Sequence, residues 1–284
     1  MHINSYAKVN LYLKIGKKLK NNYHAIQTVM LPIQLHDKLY FERLEDDKII
    51  IESTNKELEN EKNIAYKAAL LLKKKYQIKG GAKIAIEKNV PLASGLGGGS
   101  SNAANVLIAL NKLWGLKLNQ KKLMRLAAEI GSDVPFFIIG KASLVEGAGE
   151  KIKVLKKSSS LNLVLVNPGI KVSTAWAYKQ FDKAKIKPKD ANKKDIKKLI
   201  KAINKKDIKK IAENMHNDFS QMLEKKYKII KEIKSNLKKF DALSSSISGS
   251  GPTVLGLFDS IYPAREAYFR LKNLYPFVYL TKTF

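Results

Sequence analysis

The chain has 284 residues, enough for two domains of ordinary size, and its 45% hydrophobic and 27% charged residues are typical of a globular protein. It contains no cysteine, which excludes disulfides, thiolate metal sites and cysteine nucleophiles. Lysine and arginine number 53 against 25 acidic residues, so a net charge of +28 raises the question of an anionic ligand or partner.

The first half of the chain is predicted to contain strands followed by alternating helices and strands. Asn63 is a candidate N-cap for the first helix, and Gly115 ends the second. The predicted elements, in order, are strands at 7–15, 29–35, 38–44 and 48–53, a helix from 64 towards Gly80, a strand at 81–90, a loop at 91–99, helices at 100–114 and 120–130, and strands at 141–146 and 151–155.

The second half is separated from the first by the sequence KKSSS at 156–160, the best candidate linker. We therefore expect one domain at residues 1–157 and another at 158–284. The later predicted elements are a strand at 161–167, several helices between 174 and 240, strands at 242–248 and 253–258, and a final helix and strand. This mixed order predicts two α+β domains rather than a regularly alternating parallel sheet.

Neither a membrane anchor nor a secretion signal is evident in the sequence. The N-terminal residues alternate between apolar and polar, and no run approaches the roughly 20 apolar residues that cross a bilayer. The sequence therefore predicts a cytoplasmic protein.

The positive charge is concentrated between residues 183 and 239, where 20 lysines and 7 acidic residues give 20 − 7 = +13. Apolar residues in this region recur every three or four positions, which predicts amphipathic helices with their lysines in solvent. Nucleic-acid binding is the alternative, although no aromatic and arginine surface accompanies the lysines. The members of the apolar stripe are Ile196, Leu199, Ile200, Ile203, Ile208 and Ile211.

The sequence PLASGLGGGSSNAA at 91–104 places four glycines between a predicted strand and a predicted helix. Glycines let backbone N–H groups approach phosphate oxygens, and a helix N-terminus adds unpaired donors. The run is not a Walker A sequence, because no Lys-Ser or Lys-Thr follows, nor is it a dinucleotide-binding fingerprint. A flexible linker or a capped turn is the alternative to a phosphate site.

The run at 91–104 resembles the central motif of the GHMP kinases, the superfamily of galactokinase and of homoserine, mevalonate and phosphomevalonate kinases. The sequence AKVNL at 7–11 resembles the first motif of this family, and SGSGPT at 248–253 resembles the third. The resemblance implies an ATP-dependent small-molecule kinase with a two-domain α+β fold. Its N-terminal domain would resemble ribosomal protein S5 domain 2, and its C-terminal domain would be ferredoxin-like.

Three further segments, at 7–30, 131–137 and 146–150, are similar to those GHMP kinases whose acceptor carries a cytidyl group. Ala93 departs from the family, which commonly has glycine there, and this puts the path of the loop in question. The same resemblance implies a small-molecule cytidyl substrate, no nucleic acid and no membrane. Another GHMP kinase activity and an RNA-binding protein remain the alternatives.

The resemblance also assigns catalytic roles, with Asp133 receiving the hydroxyl proton and Lys8 stabilising the developing negative charge. On a strand, Lys8 and Asn10 point to the same face. Mg²⁺ is expected to neutralise the transferring phosphates, and Ser100 is a candidate ligand. A turn or cap is the alternative role for Asp133. The ATP-binding residues implied are Asn63, Lys88, Pro91, Gly95, Leu96, Gly97, Gly98, Gly99, Ser100, Ser101 and Asn102.

Substrate recognition is expected at Asn10 and at an aromatic pair, Tyr23 and His24, that follows a polar turn at 20–22. By resemblance, Tyr23 stacks on the pyrimidine and His24 forms hydrogen bonds to its edge. Tyr178 matches a second stacking aromatic, with helix packing as an equal alternative. For Asn63, helix capping competes with nucleotide binding, and for residues 248–251 a tight strand connection is the simpler interpretation.

Overall fold

The computed structural model describes residues 1–19, 23–158, 160–184 and 195–284; the turn predicted at 20–22 lies outside them. The strands are β1 (His2–Lys18), β2 (His24–Leu44), β3 (Ile49–Ser53), β4 (Gly81–Glu87), β5 (Ser143–Gly147), β6 (Lys151–Val154), β7 (Asn162–Asn167), β8 (His216–Asn217), β9 (Ser244–Ile247), β10 (Val254–Phe258) and β11 (Phe277–Lys282). The helices are α1 (Ile64–Lys75), α2 (Gly98–Leu113), α3 (Gln120–Ile130), α4 (Val134–Ile139), α5 (Thr174–Ala184), α6 (Ile196–Lys205), α7 (Ile208–Asn214), α8 (Ser220–Lys226), α9 (Lys228–Lys239) and α10 (Ile261–Leu271).

Three differences separate these elements from the sequence-based expectation. The strands predicted at 29–35 and 38–44 are one strand, β2, because His36 and Asp37 continue the extended backbone. The short helix α4 was not predicted, since its apolar sequence VPFFII has no helical periodicity; five of its residues are buried. Helix α2 begins at Gly98, two residues earlier than expected.

The chain divides into two compact units. The first unit comprises Met1–Ala7, Leu35–Val90 and Gly97–Gly140. In it β4 pairs antiparallel with the second half of β2 and parallel with β3. Helices α1 and α2 pack together, and both carry fully buried alanines, among them Ala65, Ala68 and Ala103. The first turn of α2 lies beside the residues after β4, since a Cβ atom at Gly98 would lie 2.9 Å from a side-chain carbon of Val90.

The second unit comprises Lys8–Gln34, Pro91–Leu96 and Lys141–Phe284. Its four-stranded antiparallel sheet has the order β11–β7–β10–β9 and, with α5–α9 and α10 between the strands, a β-α-β-β-α-β order. This is the ferredoxin-like topology expected of the C-terminal domain. Phe219, Ile233 and Leu237 lie in its core, together with Val166 and Phe258 of the sheet.

The lysine-rich helices α6 and α7 bury one apolar face, which includes Leu199, Ile203 and Ile211. Their lysines at 197, 198, 201, 205, 206, 209 and 210 are exposed, which confirms the prediction of solvated lysine faces for these two helices. Residues 185–194 of the same region lie outside the described part of the chain. Among the described residues, no helix is both long enough and apolar enough to span a membrane.

Candidate active site

Lys8 is almost completely buried, at 2% exposure, although it carries an ammonium group. Its Nζ donates hydrogen bonds to Asn10 Oδ1 at 2.5 Å and to the carbonyl oxygen of Gly95 at 2.9 Å. Asn10 is held in turn by Thr28, whose hydroxyl accepts from Asn10 Nδ2 at 2.8 Å. The expected shared face of Lys8 and Asn10 is therefore observed, and the buried cation is held by polar groups of the protein.

The first part of the glycine loop, Pro91–Leu96, belongs to the second unit. Gly95 has φ +77°, and a Cβ atom there would lie 2.1 Å from the carbonyl oxygen of Ser248. The Gly95 carbonyl accepts hydrogen bonds from Ser248 Oγ as well as from Lys8, both at 2.9 Å. Glycine is required here because two backbone segments come into contact beside a buried ammonium group.

The turn at 248–251 packs against the same group of residues. Gly249 has φ +55°, and a Cβ atom there would lie 3.1 Å from Lys8 Nζ and 3.0 Å from the Gly95 carbonyl. Asn217, which the sequence reasoning missed, donates from Nδ2 to the carbonyl oxygens of Ile247 at 2.7 Å and Gly249 at 2.8 Å. The turn is therefore both a strand connection and a part of the wall around Lys8.

The remainder of the loop opens helix α2 in the first unit. The N-cap residue is Gly97, with φ +71°, so no side chain caps the first N–H groups of the helix. The first turn also carries no acidic residue. The first N–H groups of a helix have no partners within the helix, and they lie at the positive end of its dipole. The arrangement fits an anion such as a phosphate group.

Ser101 and Asn102 are committed to contacts within the protein. The Ser101 hydroxyl accepts from Ser5 Oγ at 2.8 Å and donates to the carbonyl of Tyr6 at 2.7 Å, and its N–H bonds to Gly97. Asn102 donates from Nδ2 to Asp37 at 3.0 Å, while its buried Oδ1 has no hydrogen-bond partner. Ser100, by contrast, is partly exposed on the first turn.

A fully buried carboxylate, Asp37, lies beneath this end of α2, and sequence reasoning did not identify it. It accepts hydrogen bonds from Lys88 Nζ at 2.9 Å, from the N–H groups of Asn89 and Val90 at 2.8 and 2.7 Å, and from Asn102. The Lys88 ammonium also contacts the Val90 carbonyl. Burial lowers the pKa of Lys88, and the negative charge of Asp37 opposes this shift.

Asn63 and Asp133 both precede helices in the first unit. The Asn63 side chain caps α1, accepting from the Ala65 N–H at 2.9 Å and donating to the Leu58 carbonyl at 2.9 Å. Its capping role is thus confirmed, and nucleotide binding by Asn63 stays a prediction. Asp133 occupies the N-cap position of α4, but its carboxylate makes no cap hydrogen bond. The catalytic role of Asp133 stays a prediction.

The predicted substrate residues His24 and Tyr178 meet in the second unit. Their rings stack with centroids 5.2 Å apart and an interplanar angle of 16°. His24 Nε2 lies 2.8 Å from Oδ1 of Asp182, another residue that sequence reasoning missed. Tyr23 is 59% exposed at the start of the strand hairpin. Its stacking on a pyrimidine stays a prediction.

The backbone at Ala93 shows which path the loop takes where alanine replaces the family's usual glycine. Its φ of +48° lies in the left-handed region, which glycine adopts more easily than alanine. The loop therefore follows a path that suits glycine, even though the residue is alanine. The left-handed backbone costs about 1–2 kcal/mol for a residue with a Cβ.

Two family models match the chain, and their descriptions agree with the fold. The GHMP kinases N terminal domain matches residues 63–141, and the GHMP kinases C terminal domain matches residues 199–276. A solved structure described as 4-(cytidine 5'-diphospho)-2C-methyl-D-erythritol kinase superimposes with a TM-score of 0.84 at 27% identity, covering 100% of this chain and 99% of the other. The fold is that of a GHMP kinase.

Curated relatives show which kind of GHMP kinase this chain is similar to. A protein of Caldicellulosiruptor saccharolyticus is 38% identical over 100% of this chain and 97% of its own length. One of Thermoanaerobacter pseudethanolicus is 41% identical over 99% and 95%. Both are named 4-diphosphocytidyl-2-C-methyl-D-erythritol kinase. The chain belongs to this family of kinases within the GHMP superfamily.

Proposed function

We propose that the protein transfers a phosphoryl group from ATP to the C2 hydroxyl of 4-diphosphocytidyl-2-C-methyl-D-erythritol, releasing ADP, in the non-mevalonate pathway of isoprenoid biosynthesis. The observation that carries this proposal is the buried Lys8, held by Asn10 and Gly95 within the family's three sequence motifs. Full-length identity to kinases of this name supports the substrate. The domain boundary at 157/158 and a cytoplasmic location stay predictions.

The donor site is proposed at the N-terminus of α2, where Gly97, Gly98, Gly99 and Ser100 supply backbone donors for phosphate oxygens. Lys88 and Asn102 support the site through Asp37, and their direct contact with ATP stays part of the proposal. Among the described residues, no group of three or more His, Asp or Glu side chains could hold a metal ion. Mg²⁺ supplies charge neutralisation on the transferring phosphates when bound, and we propose the Ser100 hydroxyl as a ligand.

Phosphoryl transfer needs positioned reactants, compensation of negative charge and an acceptor for the hydroxyl proton. We assign the last role to Asp133, which matches the catalytic position of the family in the segment 131–137. Lys8 is assigned to the negative charge that develops on the acceptor oxygen, because its ammonium is already desolvated and fixed. Tyr23, His24 and Tyr178 are assigned to the cytidyl group.

The substrate is tested by measuring ADP release with 4-diphosphocytidyl-2-C-methyl-D-erythritol, mevalonate, homoserine and galactose in parallel. We expect turnover with the cytidyl compound, inhibited competitively by CDP. Turnover with mevalonate or homoserine alone would instead indicate another GHMP kinase. Salt-sensitive RNA binding without ADP release would identify a nucleic-acid-binding protein.

The catalytic roles predict that Asp133→Asn and Lys8→Ala lower kcat by about 100 to 10,000-fold, the range of a positioned acid–base group, while nucleotide affinity is kept. Steady-state kinetics and ADP binding measure the two quantities separately. Asp46→Asn, at an exposed carboxylate of the first unit, is the matched control and should leave kcat unchanged. Normal kcat in folded Asp133→Asn protein would remove Asp133 from the mechanism.

A further inference from the structure

The His24 imidazole is held by two contacts that act in different directions. Stacking on Tyr178, with a 16° angle between the rings, fixes the plane of the imidazole. The hydrogen bond to Asp182, with His24 Nε2 2.8 Å from Oδ1, fixes how the ring is rotated within that plane. Together the two contacts determine where Nδ1 points.

Helix α5 supplies both contacts. Tyr178 and Asp182 are four residues apart, so they lie on the same face of the helix. Tyr178 is itself locked by an edge-on contact with Phe219, with ring centroids 5.0 Å apart and an angle of 85°. Phe219 is a core residue at 1% exposure. The support for the imidazole therefore extends into the core of the second unit.

The carboxylate of Asp182 also determines the tautomer of His24. An ionised carboxylate can only accept hydrogen bonds, so the ring nitrogen facing it must carry the hydrogen. In the neutral imidazole, Nε2 then donates to Asp182 and Nδ1 is a hydrogen-bond acceptor. An acceptor at this position matches the 4-amino group of cytosine and opposes the 4-oxo group of uracil.

We infer that Asp182 is a positioning residue that makes His24 selective for cytosine over uracil, by fixing the orientation and the tautomer of the imidazole. The inference rests on the proposed cytidyl substrate and deepens it, because it names a residue that determines the choice of base. Asp182 acts through His24 and need not touch the substrate. Its side chain is 43% exposed, so it is suited to substitution.

The test compares the binding of CDP and UDP to the protein by titration calorimetry. We expect the unaltered protein to prefer CDP. In Asp182→Asn, the amide can donate to Nε2, so Nδ1 can carry the hydrogen instead, and the CDP:UDP preference should fall about tenfold, the size of one hydrogen bond. Asp182→Ala should lose a similar part of the preference.

Lys183→Gln, at the next residue of α5, is the control and should keep the preference of the unaltered protein. Thermal unfolding of each variant shows whether the fold is intact. A CDP:UDP ratio that stays unchanged in both Asp182 variants, in a protein that turns over the cytidyl substrate, would overturn this inference alone. No turnover of the cytidyl substrate by the unaltered protein would overturn the proposed function, and the inference with it.

Discussion

Gly95 combines two requirements that are usually separate, a left-handed backbone and close contact with another segment. Its φ of +77° disfavours any residue with a Cβ, and the carbonyl of Ser248 lies 2.1 Å from where that Cβ would be. The Gly95 carbonyl meanwhile accepts from Lys8. A change at this glycine therefore reaches the buried ammonium group through one hydrogen bond.

Left-handed strain alone costs about 1–2 kcal/mol. Gly95→Ala should destabilise the protein by more than this, because the turn at Ser248 must also move. Its kcat should fall as the Lys8 site is distorted. Gly115→Ala is the matched control, since Gly115 also has a positive φ but has no atom within 4 Å of the added Cβ. Urea unfolding of both variants separates strain from the clash, and equal losses would show that the contact with Ser248 is unimportant.

Among single residues, the sequence predicted those that belong to a recognisable motif. It missed those whose contacts are far away in the sequence. The glycine loop and the Asn63 cap follow from local patterns. Asp37, Asn217 and Asp182 each contact residues 30 or more positions away, and nothing beside them in the sequence indicates this. Their roles depend on strand pairing and helix packing, which local patterns do not encode.

Among the elements, strand β2, the segment after β4 and helix α2 meet at one carboxylate. Asp37 on β2 accepts from the backbone of residues 89 and 90 and from Asn102 in the first turn of α2. It also neutralises Lys88, which is 6% exposed. The position of the α2 N-terminus therefore depends on a charge buried in the neighbouring sheet.

Asp37→Asn should cost about 3–5 kcal/mol at neutral pH, because it leaves the Lys88 ammonium buried without a counter-charge. Burial already lowers the pKa of Lys88, and loss of Asp37 should lower it further. Between that lowered pKa and the unfolded value of 10.5, the unfolded chain binds more protons. The free energy of unfolding of the variant should therefore rise with pH in this window, relative to the unaltered protein.

Urea unfolding of both proteins at several pH values from neutral to about pH 10 measures this difference. Glu52→Gln, which removes the exposed partner of Lys83, is the control and should show little change. A loss of stability in Asp37→Asn that is the same at every pH would mean that Lys88 does not titrate in the way described.

The elements themselves were predicted where the hydrophobic period was clear. Helix α3 has the predicted bounds because its apolar residues keep a helical spacing. Helix α4 and the continuous β2 were missed, since a fully apolar helix and a strand that continues through polar His36 and Asp37 have no such period. The buried Asp37 is one of the two residues that made β2 look interrupted, and it is also the residue that binds Lys88, Asn102 and the backbone after β4.

For the whole molecule, the net charge of +28 creates a positive electrostatic field around the protein rather than a specific binding site. The exposed lysines of α6 and α7 surround buried apolar stripes, so their positions are explained by helix amphipathicity. A positive field nevertheless raises the local concentration of anionic substrates. Under the proposed function, ATP and the cytidyl substrate both carry phosphate groups.

Raising the salt concentration from about 0.05 to about 0.5 M should increase KM for ATP several-fold, because the field is screened, and should leave kcat nearly unchanged. Initial-rate measurements across this range give both constants. A neutral osmolyte of equal osmolarity is the control, since it changes water activity without screening charge. A KM for ATP that does not depend on salt would show that the excess positive charge does not attract the nucleotide.

Ala93 has a consequence for how the glycine loop tolerates change. Its left-handed backbone, with φ +48°, strains the folded state, whereas glycine would relieve that strain. Glycine would also give the unfolded chain more conformations, which costs about 0.4–1 kcal/mol. The relief of strain is the larger effect, so Ala93→Gly should stabilise the protein by up to about 1 kcal/mol. The backbone path of the loop is therefore kept in this chain even though alanine follows it less easily than glycine.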